Sequence, residues 1–351
     1  MGLSANSNAE GRRGKDVDMK DFFDTRAALR ERLAVFLPER IFDAHAHVYD
    51  ASFMPSYADK PEHAFGRSRV GAAEYRQGME ALMYGRCPQR VMLLPTPDPM
   101  MRDRANGLCD AATACVAEEL RRDPGCYGAA YVLPGDTEAD IEAMLDHERI
   151  RGLKCYYYAS PNGNQGPANE FLPESAWRVA ERRGMTITLH LACDGAMSDP
   201  RNLEYVEAMA RRHPGAVLIL AHAGRAFAEW TCIEPVKRLA GLDNIWFDLS
   251  AICEPAPMMA CIRAAGVDRV MWGSDYPCCC FVGRAVSFAD QFAWVDEKAL
   301  RACGFRGEVF TVLEENLIAT WIAADLLDLT PGDVRKIFAG NAERLFCHEE
   351  R

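Results

Sequence analysis

Eight short apolar runs recur along the chain, separated by stretches of helical periodicity, and this rhythm constrains the fold more than any other feature. Strands are expected at 40–46, 91–94, 127–133, 152–157, 185–191, 216–221, 245–249 and 269–273. Helices are expected between them at 71–85, 102–122, 136–148, 173–183, 202–212, 233–240 and 256–265. Strands that alternate with helices pair in parallel and carry their helices outside. Eight such units imply an α/β chain folded as a (β/α)8 TIM barrel. The alternative is an open doubly wound sheet, which would keep the first and last strands apart. A helix at 21–37 precedes the first strand, and extra C-terminal helices are expected at 286–301, 308–327 and 331–345. The last of these starts with Thr330 as N-cap and Pro331 at the first helical position. There is no internal repeat and no sign of a second domain. Residues 19–351 are read as one domain behind a polar, disordered tail at 1–18.

In a (β/α)8 barrel the chemistry sits at the C-terminal ends of the strands. The first run, Ile41-Phe42-Asp43-Ala44-His45-Ala46-His47, ends in two histidines one residue apart. Side chains alternate along a strand, so Asp43, His45 and His47 are expected on one face. Thr188-Leu189-His190, Leu220-Ala221-His222 and Gly273-Ser274-Asp275 likewise stop at metal-type ligands. Imidazole with carboxylate suits a borderline ion such as Zn2+, and also manganese, iron or cobalt. Such an ion lowers the pKa of bound water from roughly 15.7 to about 7. At about 1.36 kcal/mol per unit, that is roughly 12 kcal/mol of relative hydroxide stabilisation.

Several residues are candidates for the wall of the mouth. Lys154 and Tyr156 share the lumen side of the fourth run, with Tyr158 following. Arg225 and Arg284 are candidate clamps for a substrate carboxylate, which a guanidinium binds bidentately. Trp230 and Tyr276 are candidate aromatic walls. The polar stretch 48–69, directly after the first run, is a candidate lid. His63, His147, His213 and His348 stand in loop or helix contexts and are read as surface residues. The helical zinc-protease motif is absent, since His147-Glu148 is followed by Arg151 where a histidine is required.

Composition excludes other classes. A net charge of -11 argues against nucleic acid as a partner. No apolar run of about 18 residues exists, so no membrane span is expected. Position 6 is Asn6, which removes a myristoylation signal at Met1-Gly2. The N-terminus lacks a signal-peptide core, so a cytoplasmic location is expected. The 14 cysteines are then free thiols, and Cys278-Cys279-Cys280 lacks the spacing of a zinc site.

Taken together, Phe42-Asp43-Ala44-His45-Ala46-His47, Leu189-His190, Leu220-Ala221-His222-Ala223-Gly224, Trp272-Gly273-Ser274-Asp275-Tyr276-Pro277 and Ile337-Phe338-Ala339-Gly340-Asn341-Ala342-Glu343-Arg344-Leu345-Phe346 resemble the amidohydrolase superfamily. They look most like its amidohydrolase-related branch, which includes aminocarboxymuconate semialdehyde decarboxylase and related decarboxylases and hydrolases. The resemblance runs from about residue 40 to 347. It implies one divalent metal ion, Zn2+ by preference, held by His45, His47, His190 and Asp275. His222 would be the acid/base, and Asp275 also the first acceptor of the water proton; an imidazole suits such a relay. Binuclear members carry a carboxylated lysine where Lys154 stands, and His190 and His222 would then bind a second ion. Otherwise Lys154 is an ammonium for a substrate carboxylate or for Asp43. The implied activity is hydrolysis of a small amide, ester or lactone by metal-bound hydroxide. The alternatives are non-oxidative decarboxylation of a small unsaturated or aromatic carboxylic acid at the same metal site, and a catalytically inactive binding barrel. A small-molecule substrate and, as is common in the family, a homodimer are expected.

Overall fold

The computed structural model describes residues 25–57 and 67–347. The expected tail at 1–18, residues 58–66 of the candidate lid, His63 and His348 lie outside the described residues. Nine strands form one sheet: β1 (Phe42–Asp50), β2 (Arg69–Val70), β3 (Arg90–Pro95), β4 (Cys126–Tyr131), β5 (Ile150–Tyr156), β6 (Thr186–His190), β7 (Val217–Leu220), β8 (Ile245–Asp248) and β9 (Val270–Met271). The order is β2-β1-β3-β4-β5-β6-β7-β8-β9. Only β2 is antiparallel; it pairs with the end of β1, which runs on past His47 to Asp50.

Backbone hydrogen bonds close the sheet on itself. The Ala44 N–H donates to the Trp272 carbonyl (3.1 Å), Asp275 N–H to the His45 carbonyl (2.7 Å), and His47 N–H to the Tyr276 carbonyl (2.6 Å). Ala46 and Tyr276 also form a parallel bridge. The eight parallel strands therefore make the expected barrel, and the open sheet is excluded. Alternation sorts the side chains. Ile187 and Leu189 of β6 join the main apolar cluster with Trp177, Val179 and Ala180 of the helix Glu174–Arg183. Met92, Leu94, Ile219, Trp246 and Met271 join a separate cluster with Phe42, Ala342 and Phe346, so the C-terminal helix Asn341–Phe346 plugs the barrel from below. Each large apolar side chain so buried contributes roughly 1.5–3 kcal/mol. The apolar plug leaves the polar strand ends at the opposite mouth.

Two expectations about the C-terminal region are corrected. Residues 286–301 do not form one helix. They fold as a hairpin, β10 (Gly283–Phe288) and β11 (Gln291–Asp296), followed by a short helix, Glu297–Ala302. Val286 and Phe288, then Phe292 and Trp294, recur at a period of two, and Ala289 at φ 51° turns the chain between them. That period and the β preference of aromatic residues override the helical spacing. The stretch 331–345 does start on Thr330, whose side chain accepts the Asp333 N–H. It is interrupted by a π-turn, Lys336–Gly340, and the Ile337 carbonyl accepts from the Trp272 N–H (2.9 Å). The C-terminal segment is thereby tied to the end of β9.

His213 is not a surface residue. It is buried, its Nδ1 lies 2.9 Å from Glu181 Oε2, and its ring stacks on Trp177. All 14 cysteines are free. Among the described residues no helix is long and apolar enough to cross a membrane.

Candidate metal centre

β1 brings its histidines to the mouth, but not on the face that simple alternation assigns to Asp43. The pairing of β1 with β3 shifts register between Asp43 and Ala46, so the strand bulges there. Asp43 turns toward the helix Ala72–Leu82, where the Tyr75 hydroxyl donates to it at 2.9 Å. It also accepts the N–H groups of Ser274 (2.8 Å) and His45 (3.0 Å). Burial holds its pKa up at about 6 against these bonds. Asp43 braces β1 against the end of β9 and does not join the site.

His45 Nε2 lies 3.1 Å from His47 Nε2. Asp275 Oδ1 is 3.5 Å from the first and 3.3 Å from the second. These three ligand atoms all lie within 4.8 Å of one another, and all three residues are buried. On its other edge His45 Nδ1 hydrogen-bonds to Asp248 at the end of β8. Asp248 also accepts the Ser250 N–H (2.8 Å) and Oγ–H (2.9 Å). A carboxylate on the far ring nitrogen fixes the tautomer and aims Nε2 at the centre. Gly273 makes room for this ring: a Cβ there would stand 2.7 Å from His45 Cβ and 3.1 Å from Asp248 Oδ1.

The electrostatics suit a cation. Burial pushes His45 and His190 well below the ordinary histidine pKa, and His47 below it, so neutral imidazoles are favoured. For Asp275 burial acts upward, yet the His47 hydrogen bond and the nearby His222 and His45 rings outweigh it and hold the pKa at about 2. Neutral imidazoles beside an ionised carboxylate are the protonation states that metal ligands need. The residues present therefore fit a divalent ion.

His190, at the end of β6, stands beside the compact group and not within it. Its ring centroid is 5.1 Å from that of His222, and its Nδ1 is buried without a hydrogen-bond partner. His222 donates from Nδ1 to the Ser250 carbonyl (2.9 Å), which leaves Nε2 as its basic nitrogen. His222, Ala223, Gly224 and Arg225 have φ of 53°, 50°, 75° and 70°, and Asp275 has 60°. A left-handed conformation costs a non-glycine residue roughly 1–2 kcal/mol. Strain of this kind concentrates at functional sites, and here it falls on the candidate acid/base and on the candidate carboxylate ligand.

Lys154 and Tyr156 share the lumen face of β5, as alternation requires. Lys154 is fully buried, its Nζ has no hydrogen-bond partner, and it lies 4.8 Å from the Tyr156 ring centroid. Burial lowers its pKa to about 8 against the pull of Asp248 and Asp275. The Tyr156 hydroxyl donates to the Pro95 carbonyl (2.7 Å) and stands 3.4 Å from His47 Nδ1. Both candidate arginines are engaged by the protein. Arg225 donates to the Cys193 carbonyl (2.8 Å), and Arg284 is held by Glu254 (2.7 Å), Glu315 (3.0 Å) and the Cys253 carbonyl (2.8 Å). Tyr276 is buried against Tyr75 and donates to the Glu74 carbonyl (3.1 Å), away from the mouth. Half-exposed Trp230 donates to the Ala289 carbonyl (2.9 Å). Of the three adjacent cysteines, Cys278 hydrogen-bonds to Asp275; burial first, and that carboxylate second, raise its thiol pKa well above the ordinary value.

Asp248 and Ser250 were not expected. A signal exists in Ile245-Trp246-Phe247-Asp248-Leu249-Ser250, a seventh apolar run that also ends on a carboxylate, with a hydroxyl on the same face. A groove of about 840 Å3 between Phe36, Arg40, Trp321 and Arg335 lies at the opposite end of the barrel and contains none of these groups.

The amidohydrolase family model matches residues 42–347. No curated protein matches the chain. Solved structures that resemble it include an amidohydrolase from Burkholderia multivorans with bound zinc, at 17% identity and a TM-score of 0.56, covering 88% of this chain and 100% of that one. A manganese complex of 5-carboxyvanillate decarboxylase from Novosphingobium aromaticivorans DSM 12444 has 13% identity and a TM-score of 0.58, covering 88% and 96%. A dihydroxybenzoic acid decarboxylase from Polaromonas sp. JS666 with bound manganese has 15% identity and a TM-score of 0.56, covering 88% and 97%. Likeness at these identities establishes a shared fold.

Proposed function

The chain belongs to the amidohydrolase family, and from that premise we propose that it is a metal-dependent enzyme that hydrolyses a small amide, ester or lactone. The observation that carries this reading is the convergence of His45 Nε2, His47 Nε2 and Asp275 Oδ1 beside the ring of His222. His45, His47 and Asp275 would hold one divalent ion, and His190, beside them, would complete its ligand set. Bound there, a divalent ion supplies Lewis acidity and makes water a nucleophile near neutral pH. Asp275 takes the first proton from the attacking water. His222, fixed at Nδ1 by Ser250, relays a proton at Nε2 to the leaving group. Lys154 brings an unpartnered ammonium to the same lumen and meets negative charge on the substrate. The acidic balance and the free thiols support a cytoplasmic enzyme of small molecules.

Decarboxylation of a small unsaturated or aromatic acid is the second reading. Two observations favour it: the buried, unpaired Lys154, which would neutralise a carboxylate, and two structural relatives that are named decarboxylases of aromatic acids. In that reaction the bond from carbon to carboxylate breaks, carbon dioxide leaves, and a proton arrives on the carbon.

Solvent isotopes separate the two. The metal-loaded enzyme is offered amides, esters, lactones and aromatic acids in oxygen-18 water and in deuterium oxide. Hydrolysis places one solvent oxygen in the product, which is the expected result. One deuteron on carbon together with released carbon dioxide would transfer the assignment to the second reading. Elemental analysis should find about one ion per chain, lost in His45→Ala and in His47→Ala. Metal retained by both variants would refute the site.

A further inference from the structure

The hairpin β10–β11 stands outside the barrel sheet, and its two strands are held unequally. β10 faces the barrel: the Gly283 N–H donates to the Phe310 carbonyl (2.9 Å), and Ser287 Oγ donates to the Phe227 carbonyl (2.8 Å). β11 is the outer strand, and among the described residues its one strand neighbour is β10. The backbone groups of Gln291–Asp296 that point away from β10 therefore form an unpaired edge. The rings of Phe292 and Trp294 pack on Phe227, with centroids 4.9 Å and 5.3 Å away, and Phe227 lies 5.3 Å from the His222 ring. This aromatic row, and the bond from Trp230 Nε1 to the Ala289 carbonyl (2.9 Å), fasten the hairpin to the segment that starts at His222.

Apolar surface gathers on this hairpin. Among the described residues nine large apolar side chains stay exposed, and five of them, Trp230, Phe281, Val282, Phe288 and Trp294, lie on it or beside it. Exposed apolar patches of this kind mark contact surfaces. The patch is also nearly free of charge. Residues 281–295 carry only Arg284 and Asp290, and Glu254 and Glu315 neutralise Arg284. The groove between Phe36 and Trp321 differs, since Arg40, Arg86, Asp325 and Arg335 line it.

Charge and symmetry select the occupant. Two copies of a chain with a net charge of -11 repel each other, so they meet most easily where the surface is neutral. A basic partner would gain little from this stretch. In a two-fold contact each surface must fit itself. Two identical strands that run antiparallel meet that condition by construction, and their pairing needs only two free edges. We propose that β11 pairs antiparallel with β11 of a second copy, about a two-fold axis near Ala293. The two hairpins then form one continuous sheet, and the exposed rings are covered at the contact. The expected homodimer thereby receives a surface, and that surface braces the segment of His222 in each copy.

Mass by light scattering on the full chain, from about 1 to 100 μM, tests the pairing together with hydrogen exchange of the hairpin amides. The wild type should reach twice 39.1 kDa, and the β11 amides should exchange more slowly as the dimer fills. Ala293 is exposed, and Ala293→Lys enters a two-fold contact twice, so that like charges meet at the axis. It should weaken the dimer by more than about tenfold. Val35→Asp, in the groove at the opposite end of the barrel, should leave the dimer as tight as the wild type. A mass of one chain at every concentration would overturn the pairing, and so would a dimer that Ala293→Lys leaves intact or that Val35→Asp alone dissociates. Slow exchange of the β11 amides in the monomer, independent of concentration, would show that a segment of the same chain covers the edge, and would overturn it too. If Ala293→Lys does not fold, Phe288→Ser at the exposed end of the hairpin carries the same comparison. The metal content of these variants should equal that of the wild type, since the hairpin holds no candidate ligand. Failure of the pairing therefore shows in mass, and failure of the metal centre shows in metal content.

Discussion

Replacing Asp248 by asparagine removes one charge from the site and almost no volume. Asp248 is 1% exposed and spends both oxygens on neighbours. Oδ2 meets His45 Nδ1 and the Ser250 hydroxyl (2.9 Å), and Oδ1 accepts the Ser250 N–H (2.8 Å). An asparagine has one acceptor oxygen for these donors. If its nitrogen faces His45, it donates to Nδ1 and moves the imidazole proton to Nε2, the atom that points at His47 and Asp275. If its nitrogen faces Ser250 instead, donor meets donor in a buried position. In either orientation a charge-assisted bond to the buried candidate ligand His45 is lost. Loss of such a partner typically lowers metal affinity 10- to 100-fold, about 1.4–2.7 kcal/mol. The assay is competition for zinc against a chromophoric chelator, wild type against Asp248→Asn, with thermal unfolding of both metal-free proteins as a control on the fold. An Asp248→Asn affinity within about twofold of the wild type, at unchanged stability, would refute the view that Asp248 orients His45.

Three further outcomes follow from the same geometry. In metal-free protein, Lys154 has a folded pKa of about 8 against an ordinary 10.5. The unfolded chain therefore binds the proton more tightly, so this group's contribution to stability rises with pH between those values; below them the buried ammonium costs about 3 kcal/mol in full. Lys154→Met should be more stable than the wild type at neutral pH and lose that lead as the pH climbs through 8 to 10.5; a lead that stays constant in denaturant midpoints across that range would contradict the assignment. His222→Gln should lower kcat by about 10²- to 10⁴-fold with metal content unchanged, whereas loss of an ion would move His222 into a binuclear site with Lys154. Gly273→Ala places a methyl group 2.7 Å from His45 Cβ. It should lower Tm by the equivalent of about 1–3 kcal/mol and weaken metal binding, and an unaltered melting curve would show that β1 can retreat.

The barrel and the core of its candidate site are local facts of the chain. Apolar runs at regular intervals specify strands between helices, and a period of two places His45 and His47 together. His190, His222 and Asp275 are visible because each ends such a run. Other features depend on contacts that no local pattern carries. Asp43 has the same spacing from His45 as His47 does, yet the bulge in the pairing of β1 with β3 turns it toward Tyr75. Arg284 is a plausible clamp in the sequence, and two glutamates, Glu254 and Glu315, engage it in the fold. Asp248 is 203 residues from His45, and only the closed ring of strands makes them partners. The hairpin was hidden by a competing period, and the aromatic row it completes exists only because Ser287 and Trp230 fasten it to the segment after His222. Which strands form and where they end follows from side-chain periodicity along the chain. Which strand end faces which is set by the closure of the sheet and its register, a long-range pairing that short-range pattern cannot encode.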